Sequence, residues 1–208
     1  MKTSASLLLA LGVFVASGGT TPARAAVEGV QVGATLYGYA VPDQSDFLML
    51  VVPADRSWFH AEGRYNYEGL RTGSVFLGLN ASAGDKVKLT GTAMLGGVFG
   101  DVDGVAPAFR VTAAWWKLDF SSEGEFLIDA HHLDASFFYS WSELGLSPVS
   151  WLRVGAIVQR NRIVHSDLDL QRGLLVGFSP WPVVSLTLYE LNLGWDAPTY
   201  VGALGVHL

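Results

Sequence analysis

Hydrophobic and polar residues alternate with a period of two along most of this chain, in blocks that recur about every 12 residues. Between Lys117 and Ala130 one face carries Asp119, Ser121, Glu123, Glu125, Leu127 and Asp129. The other carries Leu118, Phe120, Ser122, Gly124, Phe126 and Ile128. A helix would spread those acids around its circumference, whereas a strand collects them on one side. Upstream, His60, Glu62, Arg64, Asn66 and Glu68 oppose Phe59, Ala61, Gly63, Tyr65 and Tyr67. In the next two blocks Val75, Leu77 and Leu79 oppose Ser74 and Asn80, and Val87, Leu89 and Leu95 oppose Lys88, Thr90 and Thr92. Farther on, Phe109 and Val111 oppose Arg110 and Thr112. Then Phe137, Tyr139 and Trp141 oppose Ser136, Ser140 and Ser142, and Leu152 and Val154 oppose Arg153. The final block places Tyr200, Gly202, Leu204, Val206 and Leu208 together. No helical period is sustained beyond the N-terminal segment.

The blocks are separated by turn residues at about 42–44, 54–56, 68–69, 83–85, 100–104, 116–117, 131–134, 147–148, 166–167, 180–182 and 195–198. These breaks imply twelve strands, an even number, as a closed antiparallel barrel requires. The second strand, from Phe47 to Val52, is apolar on both faces. If it and the first, about Val30 to Val41, lie elsewhere, ten strands remain. The expected fold is therefore all-β, an antiparallel up-and-down transmembrane β-barrel with its apolar faces toward lipid. Tilted strands of roughly 9–11 residues suffice to cross the hydrocarbon layer.

Three further features agree with this fold. Residues 1–25 combine Lys2, the apolar run from Ser6 to Ala16 and the ending Ala23-Arg24-Ala25, the pattern of a cleaved secretory signal peptide. The mature domain is then 26–208. Half the residues are hydrophobic, yet no other apolar run is long enough for a membrane helix. Barrel strands resolve that tension because only alternate residues face lipid. Trp58, Trp115, Trp116, Trp141, Trp151, Trp181 and Trp195 fall near expected strand ends, where interfacial girdles sit. A secreted soluble β-sandwich binding domain would place most of them mid-strand. Cysteine is absent, so no disulfide supports the fold. Losing the signal segment leaves 11 basic residues against 19 acidic ones, a balance that argues against a nucleic-acid partner.

The stretches from Ala54 to Gly69, Met94 to Phe109 and Ser136 to Arg162 resemble an uncharacterised family of small bacterial exported outer-membrane β-barrel proteins. The likeness runs from about Ala54 to the C-terminus. It implies the barrel fold and location in the cell outer membrane, and brings no established activity. The expected partners are outer-membrane lipid and, during biogenesis, the barrel-assembly machinery. The last strand, ending Leu204-Gly205-Val206-His207-Leu208, resembles the segment by which such barrels are recognised, with leucine where an aromatic residue is usual.

With the apolar faces outward, the lumen receives a charged network of Glu62, Arg64, Lys88, Arg110, Asp119, Glu123, Glu125, Asp129 and Arg153. Such charges need either water or one another, so they line a small-solute pore or cross-link a closed interior. Other chemistry is poorly supported. His131 and His132 are adjacent and point apart on a strand, which disfavours a shared metal near Asp129 and Asp134. Asp101-Val102-Asp103-Gly104 lacks the later ligands of a calcium loop. His60 and Ser74 lie on neighbouring strands, but no nucleophile-elbow motif accompanies them. The expectation is a non-catalytic barrel with no cofactor and no metal. An outer-membrane lipid hydrolase is an alternative.

Overall fold

A computed structural model describes residues 29–42, 44–194 and 197–208. The expected signal peptide and Trp195 lie outside the described residues. Twelve strands follow one another: β1 (Gln31–Ala40), β2 (Phe47–Arg56), β3 (Phe59–Tyr65), β4 (Thr72–Ala83), β5 (Lys88–Gly100), β6 (Gly104–Trp115), β7 (Leu118–Asp129), β8 (Phe137–Val149), β9 (Leu152–Ile163), β10 (Asp169–Trp181), β11 (Val184–Leu191) and β12 (Thr199–His207). A single 3-10 turn, Leu133–Ala135, interrupts the strand pattern among the described residues.

Each strand pairs antiparallel with its sequence neighbours, and β1 pairs with β12 to close the barrel. Closure leaves no sheet edge with unpaired backbone groups, the condition for crossing lipid with strands. The doubly apolar segment belongs to β2. It pairs with β1 through Leu36↔Leu50 and with β3 through Val51↔Arg64, so the twelve-strand count holds. Its two apolar faces reflect an interior that is itself apolar there, with Met49 and Val51 buried inside and Leu48 and Leu50 outside.

The two rims differ. At one end, four of the five connections are two-residue turns, at 57–58, 116–117, 150–151 and 182–183. Ser57 and Trp116 take left-handed backbone there, at φ 55° in both cases. At the other end lie the longer loops, including 66–71, 130–136 and 164–168. Trp58, Trp115, Trp116, Trp151 and Trp181 all gather at the short-turn rim, exposed by 49–72%. They form a girdle at one boundary of an outer surface made of Leu, Val, Phe and Ile.

Four outward assignments need correction: Tyr67, which turns inward from the loop 66–71, and three residues of β8. Trp141 is not at a strand end: it lies mid-β8, faces inward and is 1% exposed. Phe137 and Tyr139 share that inward face, while Ser140 and Ser142 take the outward parity. The reason is the bulk needed inside. The β1–β2 and β8–β12 side of the barrel is filled by large side chains, including Tyr37, Met49, Trp141, Ile157 and Tyr189.

Candidate functional site in the barrel lumen

The inward charges form two clusters. The larger is built from β2, β3, β6, β7 and the loop 66–71. Period-two spacing aims Glu62 and Arg64 from β3 and Glu123 and Glu125 from β7 into the same space. Arg64 Nε donates to Glu62 at 2.6 Å and its Nη1 to Glu125 at 2.7 Å. Its guanidinium also lies over the rings of Tyr67 and Phe76, with its carbon 4.1 Å and 4.0 Å from the centroids. Arg110, from β6, donates to Glu62 at 2.9 Å and stands 3.5 Å from Glu123. These pairs are almost wholly withdrawn from water.

The loop 66–71 contributes from above. Tyr67 and Glu68 turn into the lumen and are 3% and 1% exposed. The Tyr67 hydroxyl donates to Glu123 at 2.9 Å, and the Ser74 hydroxyl donates to Glu68 at 2.6 Å. Burial pushes the Glu68 carboxyl above its ordinary value, against the opposing pull of Arg64 and Ser74. Toward the short-turn rim, His60 meets Asp55 at 2.7 Å, and Asn80 donates to the same carboxylate at 2.6 Å.

The smaller cluster joins β7, β8 and β9. Arg153 Nε donates to Asp119 at 3.0 Å, and its Nη1 to Glu143 at 2.6 Å. Trp141 and Tyr189 donate to Glu143 at 2.8 and 3.0 Å. Gly145 lies beneath this pair: a Cβ there would collide with Arg153 and Asp119. Glycine is what lets the ion pair lie across β8.

Seven of the nine residues expected in the network thus sit in these clusters. Lys88 and Asp129 do not. Lys88 shares the inward parity but lies exposed at the short-turn rim. Asp129 ends β7 and accepts the amides of His131 and His132, at 2.8 and 2.6 Å, ordering the loop instead. Both lie at barrel ends, Lys88 exposed to solvent and Asp129 satisfied by the loop amides. Asp55, His60, Tyr67, Glu68 and Glu143 belong to the clusters and were absent from the expected set. Glu143 was detectable in principle, because it shares the odd parity of Phe137, Tyr139 and Trp141.

His60 and Ser74 do not meet. Each is engaged elsewhere, His60 with Asp55 and Ser74 with Glu68. Asp101 pairs with Arg71, and Asp103 accepts the Gly100 amide at 3.0 Å. Among the described residues, no group of three or more His, Asp or Glu side chains is arranged to hold a metal ion.

Together the closed meander, the apolar outer wall and the charged interior define the class of porin-like outer-membrane β-barrels by fold. Among solved structures, the chain is similar to KdgM porin, at 6% identity and a TM-score of 0.59, over 84% of this chain and 98% of that one. It is similar also to KdgM porin in complex with disordered oligogalacturonate, at 6% identity and a TM-score of 0.56, over 85% and 97%. The outer membrane protein Omp33 of Acinetobacter baumannii follows at 11% identity and a TM-score of 0.44, over 86% and 97%. No protein-family model and no curated protein sequence matches the chain.

Proposed function

We propose that this protein is a non-catalytic outer-membrane barrel, a small-solute channel whose lumen is closed at rest by its own side chains. One observation carries the closed state. Every strand supplies an inward residue that is almost fully buried, among them Tyr37, Val51, Glu62, Phe76, Met94, Ala106, Glu125, Trp141, Ile157, Leu175, Tyr189 and Val201. A continuous water-filled path would leave a ring of these exposed. The clusters also decide what kind of solute fits. They hold seven carboxylates, on Asp55, Glu62, Glu68, Asp119, Glu123, Glu125 and Glu143, against Arg64, Arg110, Arg153 and His60. The carboxylates occupy the guanidiniums of Arg64, Arg110 and Arg153, which disfavours a polyanionic sugar such as the oligogalacturonate named with KdgM porin. That arrangement suits small neutral or cationic solutes.

The wild-type protein should be recovered with membranes, need detergent for extraction and shift in gel mobility on heating. Recovery as a soluble periplasmic monomer overturns the location. In planar bilayers the wild type should show little steady conductance, and Trp141→Ala should raise it by opening the centre of the lumen. A large steady wild-type conductance, unchanged by that substitution, overturns the closed lumen.

A further inference from the structure

Most of the charge on the outer wall lies in one place. Among the described residues, outward positions of the twelve strands carry Arg160 and Arg162 on β9, Arg172 on β10, Glu190 on β11, and Arg56 at the Trp-lined rim. All remaining outward positions are uncharged. The three arginines are therefore concentrated on two adjacent strands, where Arg160 opposes Leu170 and Arg172 opposes Val158. Arg160 and Arg162 fall within the last four residues of β9, and Arg172 within the first four of β10. All three thus sit near the long-loop rim, at the far end from the tryptophans. Arg160 and Arg162 project from one face about 7 Å apart, the two-residue rise of a strand.

A cation facing lipid is costly at mid-membrane and cheap only near the headgroups, so this depth is where arginine can be kept. Three like charges on neighbouring positions still repel, and the face supplies one carboxylate, Glu190, against them. Glu190 also accepts the Tyr200 hydroxyl at 3.3 Å. Arg162 Nε donates to the Ser166 carbonyl at 3.2 Å, which holds that side chain toward the rim. The loop acids at this rim, Asp134 and Asp167, are exposed.

We propose that Arg160, Arg162 and Arg172 form a binding site for the phosphate groups of a phosphorylated lipid of the outer leaflet. Guanidinium recognises phosphate with paired, charge-assisted hydrogen bonds, and the outward Val158, Leu174 and Val176, level with Arg172 or deeper in the wall, suit the acyl chains below the headgroup. The site rests on the outer-membrane reading, taken with the short-turn rim, where β1 begins, toward the periplasm and the long loops outside.

The full chain, folded in a non-ionic detergent, tests this with three probes: lipopolysaccharide, the same lipid dephosphorylated, and inorganic phosphate. Lipopolysaccharide should raise the thermal unfolding midpoint, and neither of the other probes should. The combined Arg160→Gln, Arg162→Gln and Arg172→Gln variant should bind it at least about tenfold more weakly. Arg56→Gln, at the opposite rim, should match the wild type. Equal stabilisation by the dephosphorylated lipid, equal stabilisation by inorganic phosphate, or wild-type affinity in the triple variant overturns the site. If the triple variant fails to show the heat-modifiable folded band, the two wild-type comparisons decide. A wild type that never shows that band overturns the barrel reading itself, a result distinct from an inserted barrel indifferent to lipid phosphate.

Discussion

Arg64→Met removes the cation at the centre of the larger cluster while leaving a side chain of similar length. In the folded protein Arg64 contacts Glu62 at 2.6 Å and Glu125 at 2.7 Å, and lies 3.6 Å from Glu68. After the change, Arg110 remains beside Glu62 and Glu123, while Glu68 and Glu125 are deprived of their ion pairs with Arg64. At an effective dielectric of about 20, one such pair at 4 Å is worth roughly 4 kcal/mol before desolvation. Removing one partner of a buried pair typically costs about 3–5 kcal/mol. The stranded acids can each take up a proton, which limits the loss to about 3 kcal/mol, at the lower end of that range. Urea unfolding of the barrel in lipid vesicles, followed by tryptophan fluorescence, measures this directly. Adding Glu68→Gln and Glu125→Gln to Arg64→Met should recover at least half of the loss, since no charge is then left unpaired. A loss under about 1 kcal/mol, the range of an exposed ion pair, would refute the buried-counterion account. So would the absence of any recovery.

Three more outcomes are expected. Folded Glu68 holds its proton more tightly than the unfolded chain, so its contribution is complete below the ordinary value of 4.5 and declines as pH rises through the higher folded value; Glu68→Gln should flatten that decline in urea midpoints measured from mildly acidic to alkaline pH. Leu77→Arg, on the outer wall at mid-β4, should cost about 2–4 kcal/mol and deplete the heat-modifiable band, whereas Thr90→Arg, inward and exposed near the short-turn rim, should be tolerated. Gly145→Ala should cost about 1–3 kcal/mol by displacing the Arg153–Asp119 pair, while Gly91→Ala, with nothing near its added carbon, should stay within about 0.5 kcal/mol.

The barrel was legible because its physics is local. Period-two alternation survives any strand register, so Leu77, Leu79, Val154 and Leu174 could be assigned outward without knowing their neighbours. Turn residues then set the strand count, and the β2 segment required only that one stretch of lumen be apolar. What parity could not supply was depth. Lys88 and Glu62 both point inward, yet one lies exposed at a rim and the other 2% exposed mid-wall, a difference that depends on where each strand crosses the barrel. On the first part of β8 the rule that apolar residues face lipid failed, although Leu144 and Leu146 farther along obey it. Phe137, Tyr139 and Trp141 fill the interior, and Glu143 in the same register marked that face as inward. The loop 66–71 was hidden for another reason: Glu68 reads as a turn residue, and only the tertiary arrangement brings it to Ser74 and Arg64.

The same arrangement indicates which part of the lumen can yield. Every strand is held on both sides by a ladder of backbone hydrogen bonds, so widening the wall would break several at once. Side chains on the β8–β12 side are large and packed against one another, with Trp141 and Tyr189 in edge contact at 5.2 Å. The loop 66–71 is held differently. Its inward residues are fixed by Tyr67 to Glu123, by Ser74 to Glu68, and by Arg64 beneath the Tyr67 ring. Withdrawing Tyr67 and Glu68 would break no strand ladder. It would return a buried carboxyl and a phenol to water, and their hydration offsets part of the cost of breaking those hydrogen bonds. It would also leave the Arg64 guanidinium with Glu62 and Glu125, still paired. Withdrawal of these two side chains on the β3–β4 side would therefore disturb side-chain contacts and leave the closed ring of strand ladders intact.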